Sequence, residues 1–435
     1  MVVGNRFGFL LGLLLLGGAG AATAQQPKLT LAEAIARANR VQPGVISAEG
    51  TVRNAQARQR SASGAFLPHL TLTGQRGDNF SEGAILDPST GQLTTNGSST
   101  RSLGTTVSSS VDLFAGFRRT GEKRAASANR DAAEASLQNA EFQQQLTTTN
   151  TFFDALAAEQ LMLVRAASVR RAEEQLKVAI AKLQAGRGIR PDSLRSLVTL
   201  GTAQLQLINA QTALATAEAD LGRLVGEDGP VGAVDDSSLY RTLPSVDTAA
   251  LRTEAIANAP AVKSAEASAT SARAAITVAK AGYYPTLNLS GSASLNGSSR
   301  NQYTFLQSRA LTLGLNWPIF NRFQREQGIV SSQVAAEVAD ANAAEARRQV
   351  LASLTAALAA LDAARIRIGI SLTSVLAGQE DLRVQQERYR LGVATIVDVL
   401  TSQEALSQAE VDGVTARFDY IRARAQISAL IGRTL

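Results

Sequence analysis

The chain has 435 residues, 45% of them hydrophobic and 5% aromatic, with 43 Lys and Arg against 37 Asp and Glu for a formal charge of +6. No cysteine and one histidine, His69, are present, which excludes a disulfide framework, thiolate metal sites, a cysteine nucleophile and a lipid-modified N-terminal cysteine, and removes most histidine chemistry. An alanine-rich chain with 10 prolines is too apolar for disorder and reads as long helices packed through small side chains, so no enzyme activity, cofactor or metal site is expected.

Residues 1–24 have the form of a secretory signal peptide: Arg6 precedes an apolar run from Phe7 to Leu16, and Ala22-Thr23-Ala24 is a small-x-small cleavage site. That run is shorter than the roughly 20 residues that span a bilayer. No later uninterrupted apolar stretch is long enough either, so entry into a membrane would have to be through strands. The arginines are interspersed with acids, as in Arg170-Arg171-Ala172-Glu173-Glu174, a pattern of solvated helix faces and not of a nucleic-acid partner.

An internal repeat organises the rest. At a shift of 217 residues, Pro43 to Gly74 falls on Pro260 to Gly291 with 12 identities in 32 positions, among them Pro68/Pro285, Leu70/Leu287 and Gly74/Gly291. Farther on the shift is 206, pairing Phe114/Phe320, Phe117/Phe323, Gly186/Gly392, Asp192/Asp398 and Gly226/Gly432. The first copy therefore holds 11 extra residues between Gly74 and Phe114. The first repeat covers residues 25–244, with strands about 66–80 and 101–115 and long helices about 117–226. The second covers 245–435, with strands about 284–297 and 303–320 and long helices about 322–432.

Each copy opens on a helix, Leu31 to Ala65 or Thr248 to Ala281, that stops at Phe66-Leu67-Pro68 or Tyr283-Tyr284-Pro285, because the residue before a proline is pushed out of the helical region. The period then becomes two. Leu287, Leu289 and Leu295 alternate with Asn288, Ser290 and Ser292, and Leu311, Leu313, Leu315, Trp317 and Ile319 alternate with Thr312, Gly314 and Asn316; the first copy repeats this more weakly. Two strands of about ten residues per copy, apolar on one face and Ser/Thr/Asn on the other, suit a transmembrane barrel. The bland alternative is a half-buried hairpin on a soluble core. Four strands cannot close a pore and open edges are not tolerated in lipid, so a barrel requires oligomerisation. Three chains give twelve strands, the smallest multiple of four that encloses a water-filled lumen.

Glu122 to Ala185 runs without Gly or Pro. Phe142, Leu146, Thr149, Phe153, Leu156 and Leu163 recur there at steps of three and four, as do Leu354, Leu358, Leu361, Ile368, Leu372 and Val375 in the second copy, the spacing of a coiled-coil seam. Each long helix ends at a glycine tip, Gly186 or Gly392, and the chain returns along a second helix.

Motifs for chemistry are few. Gly116 to Arg124 nearly spells a phosphate-binding loop but has Glu122 between glycine and lysine and Arg124 in place of the magnesium-binding hydroxyl. The basic residues at the two strand-to-helix junctions instead mark a lower membrane boundary facing lipid headgroups. Trp317, Tyr283 and Tyr284 are either packing or interfacial belt aromatics.

The duplicated helix-strand-strand-helix plan, the two aromatic-x-Pro junctions, the strand ends Leu113-Phe114 and Ile319-Phe320, and the run from Tyr389 to Leu400, with Gly392, Thr395 and Asp398, resemble the TolC family of outer-membrane channels. The resemblance implies a mainly α fold with a membrane β-barrel: a homotrimer whose 12-stranded barrel in the outer-membrane lipid is continuous with a 12-helix periplasmic barrel. It also implies a mixed equatorial region, Gly226 to Pro244 with the C-terminus, and a periplasmic adaptor and an inner-membrane transporter as partners. Asp398 matches the family's aspartate at the periplasmic constriction, Tyr389 a tyrosine tethering the inner helix pair, and Asp192 the acceptor of that tether. Gly186, Arg187, Gly392 and Val393 match the tips that meet the adaptor. Two departures stand out. Ala394 replaces a basic residue of the tether, for which Arg390 or Arg190 would have to substitute, and Thr401 replaces a second aspartate. The function implied is a passive exit duct for tripartite efflux. The alternatives are the same duct serving one-step (type I) protein secretion and, in a different class, a periplasmic coiled-coil scaffold without a pore.

Overall fold

The computed structural model describes residues 27–86, 88–89, 91–236 and 248–433. The signal peptide and part of the proposed equatorial segment, 237–247, lie outside them.

Where one opening helix was expected in each repeat, the chain forms two. They are α1 (Leu31–Val41) and α2 (Pro43–Gly64), then α5 (Thr248–Asn258) and α6 (Pro260–Lys280). The cause is the same steric rule that ends them at the later prolines: Gln42 and Ala259, each before a proline, adopt ψ of 126° and 123°, outside the helical region. Thr30 starts α1 through a reciprocal capping box with Glu33.

The strands are β2 (His69–Leu86), β3 (Leu93–Ala115), β5 (Thr286–Ser298) and β6 (Leu306–Asn316), hydrogen-bonded antiparallel in the order β2-β3-β5-β6. They begin after the prolines, and β6 stops before Trp317. In the first repeat they run 18 and 23 residues, not about ten. The 11 extra residues found in the repeat comparison therefore lengthen a continuous hairpin instead of forming a loop.

The long helices are α3 (Arg118–Gln184) and α7 (Gln324–Leu391), each followed by a 36-residue return helix, α4 (Arg190–Val225) and α8 (Ile396–Ile431). At about 1.5 Å per residue the 67 residues of α3 reach roughly 100 Å. Toward the sheet the helices lie in one layer, α2-α3-α6-α7; away from it α3 packs on α4 and α8, and α7 on α8. α7 contains one 18-residue window apolar enough by composition to cross a bilayer. Its Leu354 and Leu361 instead pack in a seam with neighbouring helices.

The seam holds in its middle, where Thr149, Phe153, Leu156, Leu354 and Leu361 are buried, but Leu163 and Leu372 are 51% and 58% exposed. A straight helix drifts about 20° per heptad from a 3.5-residue repeat, which carries these outlying residues off the contact. The largest core sits at mid-length, where Phe152, Phe153, Phe418, Leu221, Leu251 and Val231 pack together. There the short parallel pair β1 (Lys28–Leu29) and β4 (Gly232–Ala233) adds Leu29 and Ala233 to the core beside α3 and α4.

Candidate channel wall and gate

Register decides the character of the sheet. Residues paired across antiparallel strands project to the same side. One side carries Leu313-Leu289-Val111, Leu315-Leu287-Phe114 and Leu311-Gly291-Ser109-Leu70; the other carries Thr312-Ser290-Ser110-His69, Ala310-Ser292-Ser108-Thr71 and Ser308-Ser294-Thr106-Thr73. The apolar side is unpacked: Leu311, Leu313 and Leu315 are 79%, 61% and 70% exposed. His69 belongs to the polar side, where its ring nitrogen Nδ1 lies 3.1 Å from the Ser110 hydroxyl.

Below the strands the aromatic residues recur in pairs. Phe114 and Phe117 meet edge to face at 5.6 Å, as do their repeat partners Phe320 and Phe323. Phe117 and Phe323 both take left-handed backbone, φ 67° and 63°, which turns the chain from strand to helix. Arg119 stacks over Phe66 and donates to the carbonyls of Ala65 and Leu113; its repeat partner Arg325 stacks over Tyr283 and donates to those of Gly282, Pro318 and Ile319. Each arginine thus pins the end of an incoming helix to the end of an outgoing strand, at equivalent positions in the two copies.

Arg118 establishes which sides correspond. It donates to Asp112 Oδ2 at 3.4 Å, on the polar side of the sheet, and to Glu122 Oε1 at 3.0 Å. Glu122 lines a groove of about 820 Å³ together with Thr51 and Arg58 of α2, Ser264 and Ser268 of α6 and Gly328 of α7. A groove lined by both outer helices of the layer lies on its concave side. The polar face of the sheet and the concave face of the helices, where alanines such as Ala125, Ala132 and Ala275 stand among the polar groups, are therefore on the same side of the protomer.

At the far end, 197 residues apart in sequence, the Tyr389 hydroxyl donates to Asp192 Oδ2 at 3.4 Å. Tyr389 is buried among Leu382, Ile396, Val399 and Leu406, with Ala394 against the cluster. Burial, then the Asp192 charge, raises its phenol above the ordinary value. The cation at this site is neither Arg390, which pairs with Glu387 at 3.0 Å, nor Arg190, whose side chain makes no ion pair or hydrogen bond among the described residues. It is Lys182, which donates to the Tyr389 carbonyl and sits 3.8 Å from the centre of its ring. Sequence reasoning missed it. The available signal was a lysine in the last turn before the Gly186 tip.

Asp398 caps its helix. Its Oδ2 accepts from the Thr395 backbone N–H and hydroxyl, each at 2.8 Å, and its own N–H donates to the Thr395 Oγ1. The Thr395 N–H and then its hydroxyl hold the carboxyl below its ordinary value. Asp398 is exposed, and so is Thr401 one turn farther along α8. The structure thus brings Tyr389, Asp192 and Lys182 together, while Asp398 and Thr401 stand apart on the surface of this protomer.

The tips are tight turns. Gly186 and Gly392 have φ of 69° and 84°. Arg187 N–H donates to the Lys182 carbonyl and Val393 N–H to that of Arg388, each at 2.9 Å, the pattern of a Schellman closure. Nothing lies within 4 Å of a side chain built at either glycine, so the tips are open surface.

Comparison with known proteins agrees with this architecture. The sequence matches the outer membrane efflux protein family over residues 34–227 and 251–433. The outer membrane efflux protein BepC of Brucella suis is 25% identical over 325 residues, 73% of this chain and 71% of that protein. Among solved structures, the outer membrane protein VceC of Vibrio cholerae superposes with a TM-score of 0.77 at 17% identity, covering 93% of this chain and 96% of that one. The CmeC outer membrane channel of Campylobacter jejuni gives 0.78 at 17%, covering 92% and 85%. The chain belongs to the outer membrane efflux protein family, has the TolC-like fold, and is an outer-membrane channel of the efflux and secretion type.

Proposed function

We propose that three copies of the chain form a passive exit duct of a tripartite efflux system, receiving substrate from a periplasmic adaptor and an inner-membrane transporter and releasing it outside the cell. The observation that carries this reading is the four-stranded sheet with one leucine face, one Ser/Thr/Asn face and two unpaired edges, β2 and β6. Open edges and an apolar face are both satisfied when β6 of one copy pairs with β2 of the next in lipid. A soluble scaffold would leave Leu311, Leu313 and Leu315 in water.

In this reading Tyr389, Asp192 and Lys182 latch the two helix pairs of one protomer. Asp398, with Thr401 behind it, faces its symmetry mates at the periplasmic mouth, and Gly186, Arg187, Gly392 and Val393 present the adaptor-docking tips. Lys182 supplies the cation that Ala394 lacks. The test is a strain lacking the chain: it should lose export of its cargo and regain it on complementation, and the purified protein should run as a heat-dissociable trimer and conduct in planar bilayers. A monomer without conductance would refute the duct.

A further inference from the structure

The charge of the chain is gathered in one place. Between residues 56 and 66, 112 and 124, 276 and 286, and 317 and 330, the segments bordering the strands, nine basic residues stand against Asp112, Glu122 and Glu326. Two of the basic groups are the carbonyl-pinning Arg119 and Arg325, and Arg118 is paired. The other six, Arg58, Arg60, Lys123, Arg124, Lys280 and Arg322, are exposed and make no ion pair or hydrogen bond among the described residues, and Arg60, Arg124 and Lys280 are set apart by where they point.

These three share an orientation. Arg60 follows Arg58 by two residues on α2, Arg124 follows Glu122 by two on α3, and Lys280 follows Val278 by two on α6; all three reference residues line the concave groove. Two residues along a helix turn the side chain by about 200°, so the basic groups project from the convex side. They also share a level. Lys280 ends α6, Arg60 lies four residues before the end of α2, and Arg124 is the seventh residue of α3, which places all three within about 10 Å of the strands. Directly above them the same outer side carries the exposed leucines, with Tyr283, Tyr284 and Trp317 between. Hydrocarbon-facing leucines, then aromatics, then unpaired cations is the order of layers from the interior of a bilayer to its phosphate level.

We infer that Arg60, Arg124 and Lys280 form a binding collar for anionic phospholipid headgroups in the inner leaflet of the outer membrane. The inference rests on the barrel reading and adds a headgroup preference to it. Zwitterionic lipid could wet the leucine face equally well, but unpaired cations at phosphate level have a net attraction for lipids with net negative charge. Each basic group near such a surface is worth roughly a fivefold preference.

Trp317, the one tryptophan of the chain, provides the reporter. Its indole donates to the Tyr283 carbonyl at 3.2 Å, at the border between leucines and cations. The protein is reconstituted into phosphatidylcholine vesicles containing either brominated phosphatidylglycerol or brominated phosphatidylcholine, and quenching of Trp317 yields their relative affinity. Phosphatidylglycerol should be preferred by about fivefold or more. The preference should vanish in R60Q/R124Q/K280Q and persist in R58Q, on the groove side. Should the triple variant fail to assemble, 1 M salt applied to the parent protein should abolish the preference, since the screening length falls to about 3 Å. Equal quenching by the two lipids, or a preference surviving both the triple variant and high salt, would overturn the collar. Protein that inserts into neither vesicle would refute the barrel, and the collar with it.

Discussion

Lys182 at the end of α3 lies over the ring of Tyr389 at the end of α7, 3.8 Å from its centre, and donates to the same residue's carbonyl. The Tyr389 hydroxyl reaches Asp192 at the start of α4. One tyrosine is therefore held by both helices of the neighbouring pair, by its ring and backbone on one side and by its hydroxyl on the other. The repeat equivalent of Tyr389 is Leu183, and that of Lys182 is Arg388, so the second copy cannot build the same latch.

Removing Lys182 should loosen the mouth. K182M forfeits a cation–π contact and a charged hydrogen bond, together about 2–4 kcal/mol per protomer, and should raise single-channel conductance in planar bilayers. Y389F keeps the ring and carbonyl and loses the bond to Asp192, so its effect should add to that of K182M. Unchanged conductance in the double variant would exclude the latch.

The two sides of the sheet should respond oppositely to charge. L289R, at mid-strand on the leucine side, should destabilise the assembled barrel by about 2–4 kcal/mol. S290R, one residue along, should be tolerated and alter ion selectivity. Denaturant titration of folded protein in detergent micelles measures the first effect and reversal potentials the second.

Asp398 supports two measurements. Its folded carboxyl lies below the ordinary value of about 3.9, so the cap it provides is present above that value and is lost as pH falls through the folded one. Amides in the first turn of α8 should therefore lose exchange protection, after correction for the intrinsic rate, as pH drops below about 4. D398N should remove that pH dependence. If three copies converge at the mouth, D398N should also weaken block by polyvalent cations, and block equal to the parent would leave Asp398 a capping residue alone.

At the Gly186 tip, G186L meets open space but must take a left-handed backbone, at a cost of about 1–2 kcal/mol. The expected outcome is export lost with trimers and membrane location preserved, because Schellman hydrogen bonds from adjacent residues hold the turn. Failure of assembly, judged by heat-dissociable trimers on gels, would assign the glycine to the turn and not to docking.

Much of the fold was legible because duplication writes it twice. Pairs such as Phe117/Phe323 and Gly186/Gly392 marked the turns, and alternating leucines marked the lipid face. Pro43 and Pro260 obey the same local rule as Pro68 and Pro285, yet periodicity hides the first break, because the buried spacing Ala34, Ala38, Val45, Val52 continues across Pro43. Leu163 and Leu372 fell off the seam because helical drift accumulates with length. The latch was harder for another reason. Lys182 and Tyr389 are separated by 207 residues, and no periodicity connects a lysine on one long helix to a carbonyl on another.

The unequal hairpins shape the surface that meets the outside world. β5 ends at Ser298, paired through Ser102 with Gly77, while β2 continues to Leu86 against Leu93. Some nine further rows, about 30 Å at 3.3 Å per residue, rise above the shorter hairpin. In the proposed trimer the rim is crenellated, with three tall two-stranded towers alternating with three low sills. Each tower is founded on Asp78, which binds Arg101 at 2.7 Å and Arg76 at 3.2 Å. An antibody or phage approaching the cell would meet the tips of the towers long before the pore mouth, and changes in tower sequence could alter that encounter without touching the wall through which cargo passes.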